Sequence, residues 1–475
     1  MAAVPFITTI TGTDLARWAG GRLLSGQERW CPGPIQTNSV RLVPGEVFLA
    51  LKGARFDGHD FVPAAIKAGA GGLIVRRGAV ALGQIPDGIA VIEVEDTLVA
   101  LGALAREVRR AQGLRVVAIT GSAGKTTTRS FVESILGRSG RVVATQGNLN
   151  NLIGLPLSIL ETGTEDRLGV FELGSNQPGE IARLAEIVEP DAAIITNIGA
   201  AHLAGLGSEH GVFEEKTELL RALSPDGLAL LPAADRWLTQ MVDQVGCAVC
   251  RVGRGPKADF FWDTTGRSRG GWRAQFHDRR GGWRGSAEVP GLAEHNVQAA
   301  AFGIALAIQW GIDPELVLEG VGEVSLPRMR MELRVWNDVE WIIDCYNANP
   351  SSMRSALDVL RGLEIAGRKI AVLGDMLELG DQSDRYHDML AGWITASGVD
   401  AVFACGDEIG RTVSALESMG WNQGRVVYRR EVGELKSAVM DYIRPGDLLL
   451  LKGSRMIGLD QILPENVVSN CGAKP

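Results

Sequence analysis

Short apolar runs and amphipathic stretches alternate along nearly the whole chain. Near its start, "VFLAL" (47–51), "GLIVRR" (72–77) and "IAVIEV" (89–94) read as strands, with a helical stretch "FVPAAIKAGA" (61–70) between the first two. Leu98, Leu101, Leu104, Ala105 and Val108 then recur at helical spacing within 96–112. From residue 116 onward strands "VVAIT", "RVVAT", "LGVFELG" and "DAAIITNIG" alternate with helices "SFVESIL" and "IARLAEIV". That alternation predicts a largely parallel sheet covered by helices. The Gly/Arg/Trp-rich piece 264–291 breaks the pattern and reads as a polar hairpin excursion, with Gly270-Gly271 and Gly281-Gly282 at its turns. Beyond it, "WIIDCY", "KIAVLG", "DAVFACG", "RVVYR" and "DLLLLKG" alternate with helices such as "SMRSALDVLRGL", which predicts a second open α/β sheet.

The expected fold is therefore α/β in three domains: a small one over 1–94, a central one over 95–326 and a Rossmann-like one over 327–475. A length of 475 residues agrees with that division. The longest apolar segment, 299–312, is too short to cross a bilayer and predicts a buried helix instead. The opening "MAAVPFITTI" lacks a basic stretch followed by an apolar run, so a cytoplasmic protein is expected.

Composition narrows the function classes. Apolar residues at 45% and charged residues at 22% fit a globular chain. The formal charge, 48 − 56 = −8, argues against a nucleic-acid partner. Cys31, Cys345, Cys405 and Cys471 are scattered, and the Cys247-x-x-Cys250 pair has no second pair to complete a zinc site. A monomer is the default expectation.

The chemistry starts at "VVAITGSAGKTTTRSFVESIL" (116–136). A strand, a glycine turn and a helix in this order place orphan backbone N–H groups where phosphate binds. Gly121 and Gly124 allow close approach, Lys125 would reach the β- and γ-phosphates, and the Thr126 hydroxyl would ligate Mg²⁺. The loop is shorter than the usual Walker pattern, with Ile119 where that pattern needs a glycine.

"TGSAGKTT" resembles the ATP loop of the Mur ligases, the amide-forming enzymes of peptidoglycan synthesis. The runs at 147–160 ("GNLNNLIGLPLSIL"), 172–181 ("ELGSNQPGEI"), 197–208 ("NIGAAHLAGLGS"), 346–353 ("YNANPSSM"), 372–380 ("VLGDMLELG") and 451–455 ("LKGSR") carry the resemblance through the chain. It implies ATP-dependent ligation through an acyl phosphate. The branch it points to adds D-alanyl-D-alanine to UDP-N-acetylmuramoyl-tripeptide. A folylpolyglutamate synthetase-like enzyme, another Mur-type ligase and a non-catalytic nucleotide-binding partner are the alternatives.

The resemblance also implies roles for particular residues. Gly121, Ser122, Ala123, Gly124, Lys125, Thr126 and Thr127 would hold the phosphates; His295, Asn296, Arg330, Asp344 and Tyr346 would line the rest of the nucleotide site. Lys125, Glu172, His202, Lys216 and Arg330 form the implied catalytic set. Thr126, Glu172, His202 and Lys216 would bind two Mg²⁺ ions, with Lys216 carbamylated. Read alone, Lys216 is a helix-face lysine paired with Glu214 or Glu218, or solvated. Asn148, Asn150 and Asn151 suit peptide and phosphate oxygens. Asn349, Ser351 and Ser352 could contact the dipeptide, and Lys452 and Arg455 its carboxylate. In the N-terminal domain, which would take the UDP-sugar, the implied contacts are Ser39, Lys52 and Gly53. There the family's T-D-S-R appears as Thr37, Asn38, Ser39 and Val40; Arg41 is near, but a strand would point it the other way. The family's second Asn after His-Asn is Ala299 here.

Overall fold

The computed structural model describes residues 6–26, 29–53, 55–422 and 424–464; Cys471 lies outside them. Three sheets follow one another along the chain. The first has five strands in the order Arg22–Ser25, Ala90–Val94, Gly72–Arg76, Val47–Leu49 and Ile35–Gln36, all parallel except the first. The helix Thr97–Gln112 leads from it to the central sheet. Asp96 starts this helix by accepting from the Leu98 and Val99 amides, and Gly113 ends it at φ 64°. Its buried stripe of Ala100, Leu101, Leu104, Ala105 and Val108 follows the spacing read from the sequence.

The central sheet has nine strands. From one edge they run Arg284–Pro290, Gly271–Asp278, Phe260–Arg267, Ala248–Val252, Leu228–Pro232, Ala192–Ile195, Arg115–Thr120, Leu168–Glu172 and Val142–Ala144. After Arg115–Thr120 the chain crosses to the Val142–Ala144 edge, whereas after Ala192–Ile195 it advances towards the opposite one. Such a reversal opens a crevice at the carboxyl ends of the strands, where α/β sheets take ligands. The helix Lys125–Gly137 covers this part of the sheet and packs against the largely buried helix His295–Gln309. At Gly303 the approach is tight: a Cβ would lie 2.7 Å from the Ile135 Cδ1. Fully burying Phe131, Val132 and Ile135 in that seam stabilises it by about 1.5–3 kcal/mol per side chain.

The Arg/Trp-rich piece is a correction to the sequence reading. It does form hairpins, but they extend the central sheet rather than leave it, and Phe260, Trp262, Ala274, Phe276 and Val289 pack into the core. The alternation of buried apolar and exposed polar residues is that of a one-sided sheet. Arg41 is a second correction. It ends a turn in which its amide donates to the Asn38 carbonyl, so strand alternation does not set its direction.

The third sheet has six strands in the order Glu332–Trp336, Val339–Ile343, Leu448–Lys452, Lys369–Gly374, Ala401–Cys405 and Val426–Arg429, parallel but for the first. Its helix Pro350–Gly362 begins with a reciprocal cap between Asn349 and Ser352. No helix among the described residues is long and apolar enough to cross a membrane.

Candidate active site

Three neighbouring parallel strands of the central sheet deliver the phosphate loop and three of the five residues of the implied catalytic set, Lys125, Glu172 and His202. The glycine loop follows Arg115–Thr120, Glu172 ends Leu168–Glu172, and His202 follows Ala192–Ile195. The loop itself is held by the last of these segments. Ser122 and Gly199 exchange bonds through the Ser122 hydroxyl (2.9 and 3.0 Å), while Asn197 and Ala123 pair side chain to backbone (3.0 Å each). Gly121, at φ 142°, has no room for a side chain, since a Cβ would sit 2.0 Å from the Thr196 Oγ1.

Lys125 opens the helix Lys125–Gly137 and folds back so that its Nζ donates to the Gly121 carbonyl at 2.8 Å. Burial pushes its pKa below the ordinary lysine value; Glu172 opposes that shift and Arg330 adds to it. Glu172 is 2% exposed. One of its oxygens accepts from the Asn150 amide at 2.9 Å, and the other, Oε2, is buried with no hydrogen-bond partner among the described residues. A buried carboxylate oxygen left open in this way calls for a cation or a donor from outside the chain.

Lys216 departs most from what its sequence neighbours suggest. It pairs with neither Glu214 nor Glu218: it is fully buried, and its Nζ donates to the Ser175 hydroxyl at 2.7 Å. Burial lowers its pKa to about 7, with the Lys125 charge adding to the shift and Glu215, Glu180 and Glu172 opposing it. The adjacent buried carboxylate, Glu215, accepts instead from the Gly179 and Ile181 amides (2.6 and 2.7 Å) at the start of the helix Glu180–Val188.

Across a cavity of about 830 Å³ the third sheet supplies the opposite wall. Arg330, between Met329 and Met331 at φ 54° and 56°, stacks its guanidinium 4.3 Å from the Tyr346 ring centre. Asn349 donates to the Ser122 carbonyl at 3.2 Å and so ties the two walls together. The His202 Nδ1 lies 2.6 Å from the Glu378 Oε2 of the third sheet. Asn148, Asn150, Asn151, Ser351, His295 and Arg455 also face this cavity.

Several predicted residues stand differently from expectation. Lys452 borders the cavity but is 1% exposed, and its ammonium is matched by Asp344 at 2.8 Å and by the Asn347 carbonyl at 3.1 Å. It organises the 344–347 turn rather than offering a free cation to a substrate carboxylate. Asn296 is buried outside the cavity lining with its amide donating to the Pro290 carbonyl at 2.9 Å, so it braces the Gly291 turn. Ser39, Lys52 and Gly53 are not in this wall. They follow adjacent parallel strands of the first sheet at their carboxyl ends, beside the exposed Phe56 and Phe61. Thr196, Asn197, Ser175 and Glu378 have no role in the sequence reading, although Thr196 and Asn197 lie at the end of one predicted strand and Ser175 directly follows another.

Family models match almost the whole length: "Mur ligase family, catalytic domain" over 34–109, "Mur ligase middle domain" over 119–307 and "Mur ligase, glutamate ligase domain" over 329–455. The UDP-N-acetylmuramoyl-tripeptide–D-alanyl-D-alanine ligase of Bacillus subtilis (strain 168) is 35% identical over 461 residues, covering 97% of this chain and 98% of the relative. The chain belongs to the Mur ligase family. Among solved structures, a crystal structure of MurF from Acinetobacter baumannii superposes with a TM-score of 0.87 at 30% identity, covering 97% of this chain and 98% of that one. The MurF ligase of Thermotoga maritima, solved in complex with ADP, superposes with a TM-score of 0.79 at 26% identity, over 90% and 96% of the two chains. In this Mur ligase the glycine loop, Glu172 and Arg330 thus face one cavity between the central and C-terminal sheets, and Lys216 lies buried behind Ser175 on its wall.

Proposed function

We propose that the chain joins D-alanyl-D-alanine to UDP-N-acetylmuramoyl-tripeptide, with ATP converted to ADP and phosphate. The observation that carries this reading is the juxtaposition of a phosphate loop with an open carboxylate oxygen in one cleft that a second sheet closes, with the buried Lys216 held just behind its wall on Ser175. The extended identity with ligases of this specificity supports it.

A carboxylate is a poor electrophile, so the tripeptide's terminal carboxylate first attacks the γ-phosphorus of ATP and ADP leaves. The dipeptide amine then attacks the carbonyl carbon of the acyl phosphate, and phosphate departs with the bonding pair. Lys125 and the amides of the loop oppose the negative charge that gathers as the phosphoryl group moves. Arg330 reaches the γ-phosphate with its edge donors while Tyr346 covers its face. His295, Asp344 and Tyr346 line the remainder of the nucleotide site, and Asn148, Asn150 and Asn151 the path of the peptide. Ser351 and Arg455 stand on the dipeptide's side, and Ser39, Lys52 and Gly53 serve the uridine diphosphate end.

Among the described residues no three His, Cys, Asp or Glu side chains form a metal cage. That suits Mg²⁺, which is commonly held by one or two carboxylates and completed by substrate phosphates. The open Oε2 of Glu172 fits it, and Thr126, His202 and a carbamylated Lys216 would complete the set for two ions. Bound there, Mg²⁺ neutralises phosphate charge and aligns the two reacting anions. Carbamylation is favoured because a lysine with a pKa near 7 is about half neutral at neutral pH, and only the neutral amine captures CO₂. The N–C bond forms, a proton is released, and a buried cation becomes an anion.

The test is isotopic. With ¹⁸O in the tripeptide carboxylate, one labelled oxygen per turnover should appear in inorganic phosphate. Turnover that leaves the phosphate unlabelled would refute the acyl phosphate route.

A further inference from the structure

Glu378 lies in the loop that continues the run "VLGDMLELG" beyond the strand Lys369–Gly374 of the C-terminal sheet. Its Oε2 lies 2.6 Å from the Nδ1 of His202, across the boundary between the sheets. This is an ion-pair contact, off the line of a ring N–H hydrogen bond, and it leaves the buried Nδ1 without a formed hydrogen bond among the described residues. The approach is built in on both sides. The Ala204 amide donates to the Glu378 carbonyl at 3.0 Å. Two residues on, a Cβ at Gly380 would come within 3.1 Å of the Ala204 Cα, so glycine is what lets the segments touch. Both partners also hold left-handed backbone conformations unusual for their types, φ 53° at His202 and 67° at Glu378. Such conformations persist where surrounding contacts impose them, and they gather at functional sites.

A carboxylate against one ring nitrogen decides which nitrogen carries the proton. A carboxylate this close favours the tautomer with the proton on Nδ1, which a small turn of the ring brings into line, and leaves the lone pair on Nε2, an arrangement in which a histidine binds a metal ion. The other carboxylates facing the cavity have different occupations. Glu180 caps its own helix segment, Asp344 answers Lys452, and Glu172 faces Asn150.

We propose that Glu378 is a positioning residue that fixes the tautomer and orientation of His202, so that seating the C-terminal sheet completes the metal site of the central one. This rests on the reading that His202 is a metal ligand.

The test uses the full chain with ADP and Mn²⁺ as the probe, its binding followed by electron paramagnetic resonance. Glu378→Ala should weaken Mn²⁺ binding about tenfold or more, the usual consequence of losing such a partner. Adding it to His202→Ala should cause no further loss. In two-bond ¹H–¹⁵N histidine spectra the His202 signal, identified by its absence in His202→Ala, should report the Nδ1–H tautomer in the parent and a mixture in Glu378→Ala. Glu378→Gln, whose amide oxygen can still accept, should keep the parent tautomer. Metal-free ADP affinity should be unchanged throughout, which separates the effect from misfolding. Parent-like Mn²⁺ binding in Glu378→Ala with weakened binding in His202→Ala overturns the positioning role alone. Parent-like binding in both variants overturns the ligand assignment beneath it.

Discussion

Replacing Lys216 by methionine should stabilise the ligand-free protein while abolishing turnover. Burial holds the Lys216 pKa near 7 against an ordinary lysine value of 10.5. At pH 7 the unfolded chain keeps this lysine fully protonated and the folded chain only half so, a penalty on folding of about 4 kcal/mol. Methionine occupies a similar volume without the charge, but it withdraws the donor now given to the Ser175 hydroxyl, at a cost of about 1 kcal/mol. A net gain of about 3 kcal/mol remains. The pH dependence carries the sharper signature. Between pH 7 and 10.5 the unfolded state binds the extra proton, so the parent gains stability as pH rises through that window and its deficit is full only below pH 7. Hydrogen exchange of the helix Glu209–Arg221 in CO₂-free buffer, parent and variant compared at each pH, reads this without requiring the three sheets to unfold together. The gap should be widest at pH 6.5 and nearly closed at pH 10. A gap that stays constant across that range would refute the reasoning, as would a variant less stable than the parent at pH 7.

Further outcomes follow from the same geometry. Bicarbonate should restore turnover to enzyme prepared free of CO₂, and ¹³C-bicarbonate should give a carbamate carbon signal that Lys216→Met lacks. Lys125→Ala should reduce phosphate release by at least about a thousandfold, since it removes the cation from the transferring phosphoryl group; its melting temperature should stay near the parent's, because the Gly121 carbonyl is the one hydrogen-bond partner of the ammonium among the described residues. Gly121→Ala should cost about 2 kcal/mol or more, measured by urea unfolding, because the new methyl meets the Thr196 Oγ1. Asn349→Ala removes both the cap of the helix Pro350–Gly362 and the bond to Ser122. It should cost about 1 kcal/mol and widen the solution-scattering profile as the walls of the cleft part more often.

The glycine loop could be read directly because its parts are adjacent in sequence: strand, turn and helix each declare themselves within a few residues. Lys216 could not be placed in that way. Glutamates at 214, 215 and 218 suggest a solvated ion-paired face, yet packing against the segment after Leu168–Glu172 turns this lysine inward. The same limit applies to Lys452. Its cationic side chain looks available until Asp344, more than a hundred residues earlier, is seen to neutralise it. In the Arg/Trp-rich hairpins the period-two alternation was present, but the density of arginines hid an inner face that joins the core.

Arg330 rides on the backbone that enters the C-terminal sheet, with the Met331 amide on Asp344 and its own guanidinium over Tyr346. A nucleotide resting on the glycine loop, as proposed, would therefore meet this guanidinium only while that sheet is in place. On the proposed function, phosphoryl chemistry would wait until the sheet proposed to take the second substrate has arrived.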